Sequence, residues 1–129
     1  MDQISNMLIT MKNGAMVGKS SVVVPFSSMK SAIAECLKNH GFIASYSKRT
    51  EKNNVPVLEI ELSYPNGVSR FSDVKRISKP SRRVYMGVHD IHTVKNGHGL
   101  TIFSTPKGIL SNKEAYKERV GGEALFMIW

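Results

Sequence analysis

In the stretch Val57–Leu62, Leu58, Ile60 and Leu62 alternate with Glu59 and Glu61. Successive side chains of a strand point to opposite faces, so this alternation specifies a half-buried strand. Such a strand needs partners on its apolar side, and the preceding sequence offers two helices. Ile4, Met7, Leu8 and Met11 fall at helical spacing within residues 3–13, with Asp2 placed to cap the helix and Gly14 to stop it. A second helix is expected from about Ser28, with Met29, Ala32, Ile33, Cys36 and Leu37 on one face and Gly41 after its end. Between them, Ser-Ser-Val-Val-Val-Pro reads as a short strand ended by Pro25. Phe42–Ser47 reads as another strand, followed by a polar loop over residues 48–54.

The segment Tyr64-Pro-Asn-Gly67 is either a hairpin turn or a hinge, and the charge changes there. Residues 1–66 carry seven basic and five acidic side chains, whereas residues 67–129 carry eleven and five, raising the net charge from +2 to +6. The expectation is two packed modules in an α+β fold. The first, 1–66, is helix–strand–helix–strand–strand, and the second, 67–129, is mostly β-sheet with short helices. In the second, Val68–Ile77, Arg83–Tyr85 and Leu100–Ser104 read as strands. Ser111 and Glu114 have capping-box spacing for a short helix through Arg119, and Glu-Ala-Leu-Phe-Met-Ile-Trp as a final central strand. A chain of 129 residues buries enough surface to fold without a disulfide or metal staple, and its single Cys36 on an apolar helix face reads as packing.

Excess positive charge of +8 points to a polyanionic partner. Ser-x-x-Lys pairs occur at Ser27/Lys30, Ser45/Lys48, Ser72/Lys75 and Ser104/Lys107, a spacing that could place a base beside a nucleophile. Four copies in one Ser- and Lys-rich chain make the spacing uninformative, and the other elements of such hydrolases are missing. His89 and His92 have no further ligand set, and no phosphate loop or dinucleotide fingerprint occurs. No catalytic residue, metal, cofactor, small-molecule substrate or membrane association is expected.

The motifs Arg-Ile-Ser-Lys-Pro-Ser-Arg-Arg-Val-Tyr (76–85), Gly-His-Gly-Leu-Thr-Ile-Phe-Ser-Thr-Pro-Lys-Gly-Ile-Leu (97–110), Lys-Glu-Ala (113–115) and Gly-Gly-Glu-Ala-Leu-Phe-Met-Ile-Trp (121–129) occur in fixed order. Together they resemble the family of the eighth small-subunit ribosomal protein of bacteria and organelles, as do the opening helix and the strand–helix–strand after it. The resemblance implies a structural constituent of the small subunit, ribosome-associated in the cytoplasm or an organelle. It implies a primary binder of the central domain of small-subunit ribosomal RNA that orders it during assembly. It also implies neighbouring ribosomal proteins as partners and, in some members, binding to the protein's own operon messenger. By that match Ser104, Thr105, Lys107 and Gly108 form an RNA-reading tip joined by Gly121, Gly122 and Glu123. Tyr85 and the basic run with Lys79, Arg82 and Arg83 surround it, and Lys30 of the first module reaches RNA backbone. Pro106 stands where the family usually has a second serine, Thr10 replaces a customary arginine, and Ser81-Arg82 replaces Gly-Leu. A free-standing RNA-binding regulator and, from a different class, a serine–lysine hydrolase at Ser104 and Lys107 are the rival readings.

The residue chemistry suits RNA. Proteins read its shallow minor groove, 2′-hydroxyls and distorted sites, and a serine or threonine hydroxyl is both donor and acceptor. Tyr85 can stack on a splayed base, while Lys107, Arg82 and Arg83 answer phosphates.

Overall fold

The alternating stretch becomes the middle strand of a three-stranded antiparallel sheet. The computed structural model describes residues 3–91 and 99–129, in two units, Gln3–Arg70 and Phe71–Trp129. In the first unit the order is α1 (Gln3–Met16), β1 (Ser21–Pro25), α2 (Ser28–Asn39), β2 (Ile43–Glu51) and β3 (Val55–Leu62), with sheet order β1-β3-β2. Val22 pairs with Ile60 and Val24 with Leu58, so these side chains share the face carrying Leu62. Ile4, Met7, Leu8 and Met11 of α1 and Ile33, Ala34 and Leu37 of α2 are buried, and both helices pack on this sheet. Each fully buried aliphatic side chain contributes about 1.5–3 kcal/mol relative to exposure.

Three local expectations change. Helix α1 continues through Gly14 to Met16, because Gly14 is a packing residue: a Cβ there would collide with Val22 Cγ1 and lie 3.4 Å from Leu62 Cδ1. The proposed Asp2 cap lies outside the described residues. Strand β2 runs to Glu51, through most of the segment read as loop, since pairing with β3 holds its polar outer end. The reversal is confined to residues 52–54, where Asn53 and Asn54 adopt positive φ. In α2, Met29 is exposed, and Lys30 takes a buried position instead. Its N-cap is Ser27, whose hydroxyl accepts from the Lys30 amide at 3.1 Å.

The second unit contains β4 (Val74–Arg76), β5 (Tyr85–Met86), β6 (Leu100–Thr105), β7 (Gly108–Ser111), α3 (Asn112–Glu118) and β8 (Gly122–Ile128). Its sheet order is β4-β8-β6-β7, with β5 also pairing with β8, so the final strand is central. That position explains the apolar run: Ala124, Leu125, Phe126 and Ile128 are all buried. The pairing of β6 with β8 shifts between Ile102 and Phe103, leaving Leu125 as the extra residue of a bulge. Its carbonyl accepts from the Ile77 amide at 3.0 Å and from Arg76 Nη1 at 3.3 Å.

Residues 68–73 are not strand. Val68 and Arg70 bond back to Pro65 and Ser63, whereas the Ser72 and Asp73 amides donate to the Trp129 carbonyl and the Trp129 amide to the Asp73 carbonyl. Pro65–Gly67 is a single turn, Asn66 and Gly67 both having positive φ. The capping box at α3 is complete: the Ser111 hydroxyl accepts from the Glu114 amide and the Glu114 carboxylate from the Ser111 amide, both at 3.1 Å. Among the described residues, no helix is long and apolar enough to cross a membrane.

Candidate nucleic-acid interface

Strands β6 and β7 are joined by only two residues, Pro106 and Lys107, between the paired ends Thr105 and Gly108. Gly108 has φ +106°, a conformation other residues seldom adopt, and its side-chain direction is open. The turn is closed by Thr105, whose hydroxyl donates to the Gly108 carbonyl at 2.8 Å and accepts from the Lys107 amide at 3.1 Å. One acceptor lone pair of that hydroxyl is left for another partner. Ser104 is half-buried beside it, and its hydroxyl has no hydrogen-bond partner among the described residues.

Strand register brings distant sequence positions onto one line. Tyr85 pairs with Glu123, Glu123 with Ser104, and Ser104 with Ile109. Directly opposed residues of antiparallel strands direct their side chains to the same face. The adjacent line, Phe103 with Ala124, lies on the other face, packed with Ala115 of α3 and with Met86 and Val120. At this end of the sheet the Phe103 face is core, and the opposite face presents a phenol, a carboxylate and a hydroxyl in a row. Farther along β6 both faces are buried, Leu100 and Ile102 on the Ser104 side and Thr101 and Phe103 on the other. The Tyr85 side belongs to a residue 70% exposed.

Arg83 Nη1 lies 3.1 and 3.4 Å from the two Glu123 carboxylate oxygens. The sequence reading of Arg83 as a phosphate contact thus meets a residue already paired with the carboxylate in the row. Lys79 and Arg82 form a tight bridge, each amide donating to the other's carbonyl, at 2.8 and 2.9 Å. This hairpin holds Pro80 and Ser81 at its end and leaves Lys79, Arg82 and Arg83 exposed. Its base depends on Ser78, which sequence reasoning passed over. The buried Ser78 hydroxyl donates to the Val84 carbonyl at 3.3 Å and accepts the Val84 amide at 2.9 Å. A serine immediately before a Lys-Pro turn was the available signal.

Gly121 and Gly122 have a structural reason. A Cβ on Gly122 would collide with the Ser104 carbonyl oxygen and lie 3.0 Å from Thr105 Cγ2. On Gly121 it would collide with the Met86 carbonyl oxygen and lie 2.9 Å from Gly87 Cα. The missing side chains let β8 approach β5 and β6 closely at the tip.

Lys30, in the first unit, is only 3% exposed. Its ammonium donates to the Pro25 carbonyl at 2.9 Å, and burial lowers its pKa. The hydrolase pairings do not assemble. The Lys107 ammonium pairs with Glu118 Oε2 at 3.4 Å, the Ser27 hydroxyl caps α2, and the Ser45 hydroxyl donates to Glu61 at 2.9 Å. His89 is exposed in a short turn, and His92 lies outside the described residues.

Residues 2–129 match the family of ribosomal protein S8. A small ribosomal subunit protein uS8 of Ruegeria pomeroyi is 43% identical over 128 residues, covering 99% of this chain and 98% of the relative. That of Ruegeria sp. (strain TM1040) is 42% identical with the same coverage. That of Mycoplasma mobile is 42% identical over 130 residues, covering 99% of this chain and 96% of the relative.

Proposed function

The chain belongs to the ribosomal protein S8 family, and from that premise we propose that its second unit binds small-subunit ribosomal RNA directly. Membership in this family makes it a structural, non-enzymatic ribosomal protein associated with the small subunit. The proposal adds the binding surface: the row Tyr85–Glu123–Ser104 ending at the Thr105–Gly108 turn, bordered by Lys79, Arg82, Arg83 and Lys107. The row is the observation that carries it. A stacking ring, an acceptor and an amphoteric hydroxyl suit an unstacked base in an irregular helix, whereas exposed cations beside them suit its phosphates.

On this reading the target is an irregular helix of the central domain, and docking orders that RNA during assembly. A segment of the protein's own messenger folded to the same shape would be bound by the same row. Arg83 acts mainly on Glu123, holding its carboxylate toward the RNA, while Lys79, Arg82 and Lys107 meet phosphates. Gly108, whose side-chain direction is open, allows the backbone itself to come close, while Gly121 and Gly122 let the strands that carry the row pack together. Lys30, in the first unit, reaches RNA backbone only by leaving its buried place at the Pro25 carbonyl.

The test is crosslinking in cells with mapping of both the linked residues and the linked nucleotides. Links from Tyr85, Ser104 and Lys107 to one small-subunit RNA helix are expected. Links confined to other faces would remove the assignment.

A further inference from the structure

We propose that the open edge of β1 accepts an extended, acid-bearing segment of another protein as an added strand. This surface belongs to the first unit and does not depend on the RNA-binding row.

The edge is defined by hydrogen-bond parity. The Leu62 amide donates to the Ser20 carbonyl at 2.9 Å, and the Phe26 amide to the Pro56 carbonyl at 3.2 Å. With the antiparallel register between them, Ser20, Val22, Val24 and Phe26 bond toward β3. The amides and carbonyls of Ser21 and Val23 therefore point away from the sheet, and among the described residues they meet no partner. Pro25 shares that parity, but it has no N–H, and its carbonyl is held by Lys30 Nζ. The edge is closed at one end and open over two residues, leaving two donors and two acceptors at strand spacing.

A groove of about 590 Å³ runs beside this edge, lined by Thr10, Asn13 and Val17 of the α1 end, by Lys19, and by Ser21 and Val23. Val17 is 72% exposed and Val23 40%, so a strand laid here would cover aliphatic surface on both sides. The groove's one charged lining residue is Lys19, which selects a carboxylate on the incoming segment. A nucleic-acid strand fits less well, since its backbone calls for several cations and its bases for aromatic platforms, and the lining has one cation and no ring. Main-chain bonds supply the affinity of such additions, and side-chain contacts their selectivity.

The test uses small subunits reconstituted with the full-length chain carrying photoreactive benzoylphenylalanine in place of the exposed Met16, which adjoins Val17. Irradiation should link the chain to a single protein, at a segment containing Asp or Glu. Val23→Pro removes the edge amide without touching a bond to β3, and Lys19→Glu reverses the selecting charge. Each should lower the crosslink yield at least tenfold while affinity for the small-subunit RNA fragment is unchanged. In amide exchange of the wild type, Ser21 and Val23 should be fast in the free protein and protected in the particle. A crosslink to RNA, no protein crosslink, or a yield indifferent to both substitutions would overturn the proposal.

Discussion

The hydroxyl of Thr105 and the carbonyl of Gly108 close the β6–β7 turn on each other at 2.8 Å, and the same hydroxyl receives the Lys107 amide. Ser104, one residue earlier, makes no such internal bond among the described residues. Two neighbouring hydroxyls in one tip therefore have different physical roles.

Thr105→Val should lower both stability and cognate RNA affinity. The loss of its hydroxyl returns the exposed Lys107 amide and Gly108 carbonyl to water, at about 1 kcal/mol per lost bond, and loosens the turn. Thr105→Ser restores both bonds and should restore both properties. Ser104→Ala should leave the melting temperature in place while cognate affinity falls roughly 5- to 100-fold, with generic duplex RNA unaffected. Parallel melts and binding titrations separate the two; equal melting losses would make Ser104 a structural cap instead.

Gly122→Ala should be severe despite its size. Its Cβ would meet backbone, the Ser104 carbonyl, which cannot swing aside as a side-chain end would. Overpacking of this kind costs roughly 1–3 kcal/mol. A denaturant titration showing wild-type stability would mean that β6 and β8 can separate freely at the tip.

Arg82 and Arg83, adjacent in sequence, should differ in specificity. Arg82→Ala should weaken binding to cognate and unrelated RNA alike and reduce the salt slope by about one. Arg83→Ala releases the Glu123 carboxylate, so its loss should fall mainly on cognate RNA. For the wild type, phosphates neutralised by Lys79, Arg82 and Lys107 correspond to a slope of log affinity on log salt of about −3. Identical profiles for the two variants would refute a positioning role for Arg83.

Lys30 should carry a pH signature. Burial holds its folded pKa below the ordinary 10.5, so in the window between the two values the unfolded chain binds more protons. Folding stability contributed by this residue then rises with pH through that window and is least favourable below it. Relative to Lys30→Met, the wild type should gain stability as the pH is raised toward 10.5, read as the difference between two denaturant curves. A flat difference would mean that the ammonium keeps its hydration.

The periodicity of Ile4–Met11 and of Leu58–Leu62 determined two amphipathic elements and their buried sides, because burial selects for a repeat that matches helix or strand geometry. The Ser111–Glu114 spacing likewise determined a helix start, since both capping bonds are local. The motif resemblance singled out Ser104, Thr105 and Tyr85 as residues of interest. Only the tertiary structure decided what stands beside them. Tyr85, Glu123 and Ser104 come from strands far apart in the chain, and their alignment depends on register and on the bulge at Leu125. Gly14 reads locally as a helix stop, yet Val22 and Leu62, brought against it by folding, make it an interior packing residue. The resemblance has Lys30 reach RNA backbone, yet the carbonyl of Pro25 holds its ammonium inside. Local periodicity sets which elements form, and non-local hydrogen bonding and close packing set which of their side chains remain available for a partner.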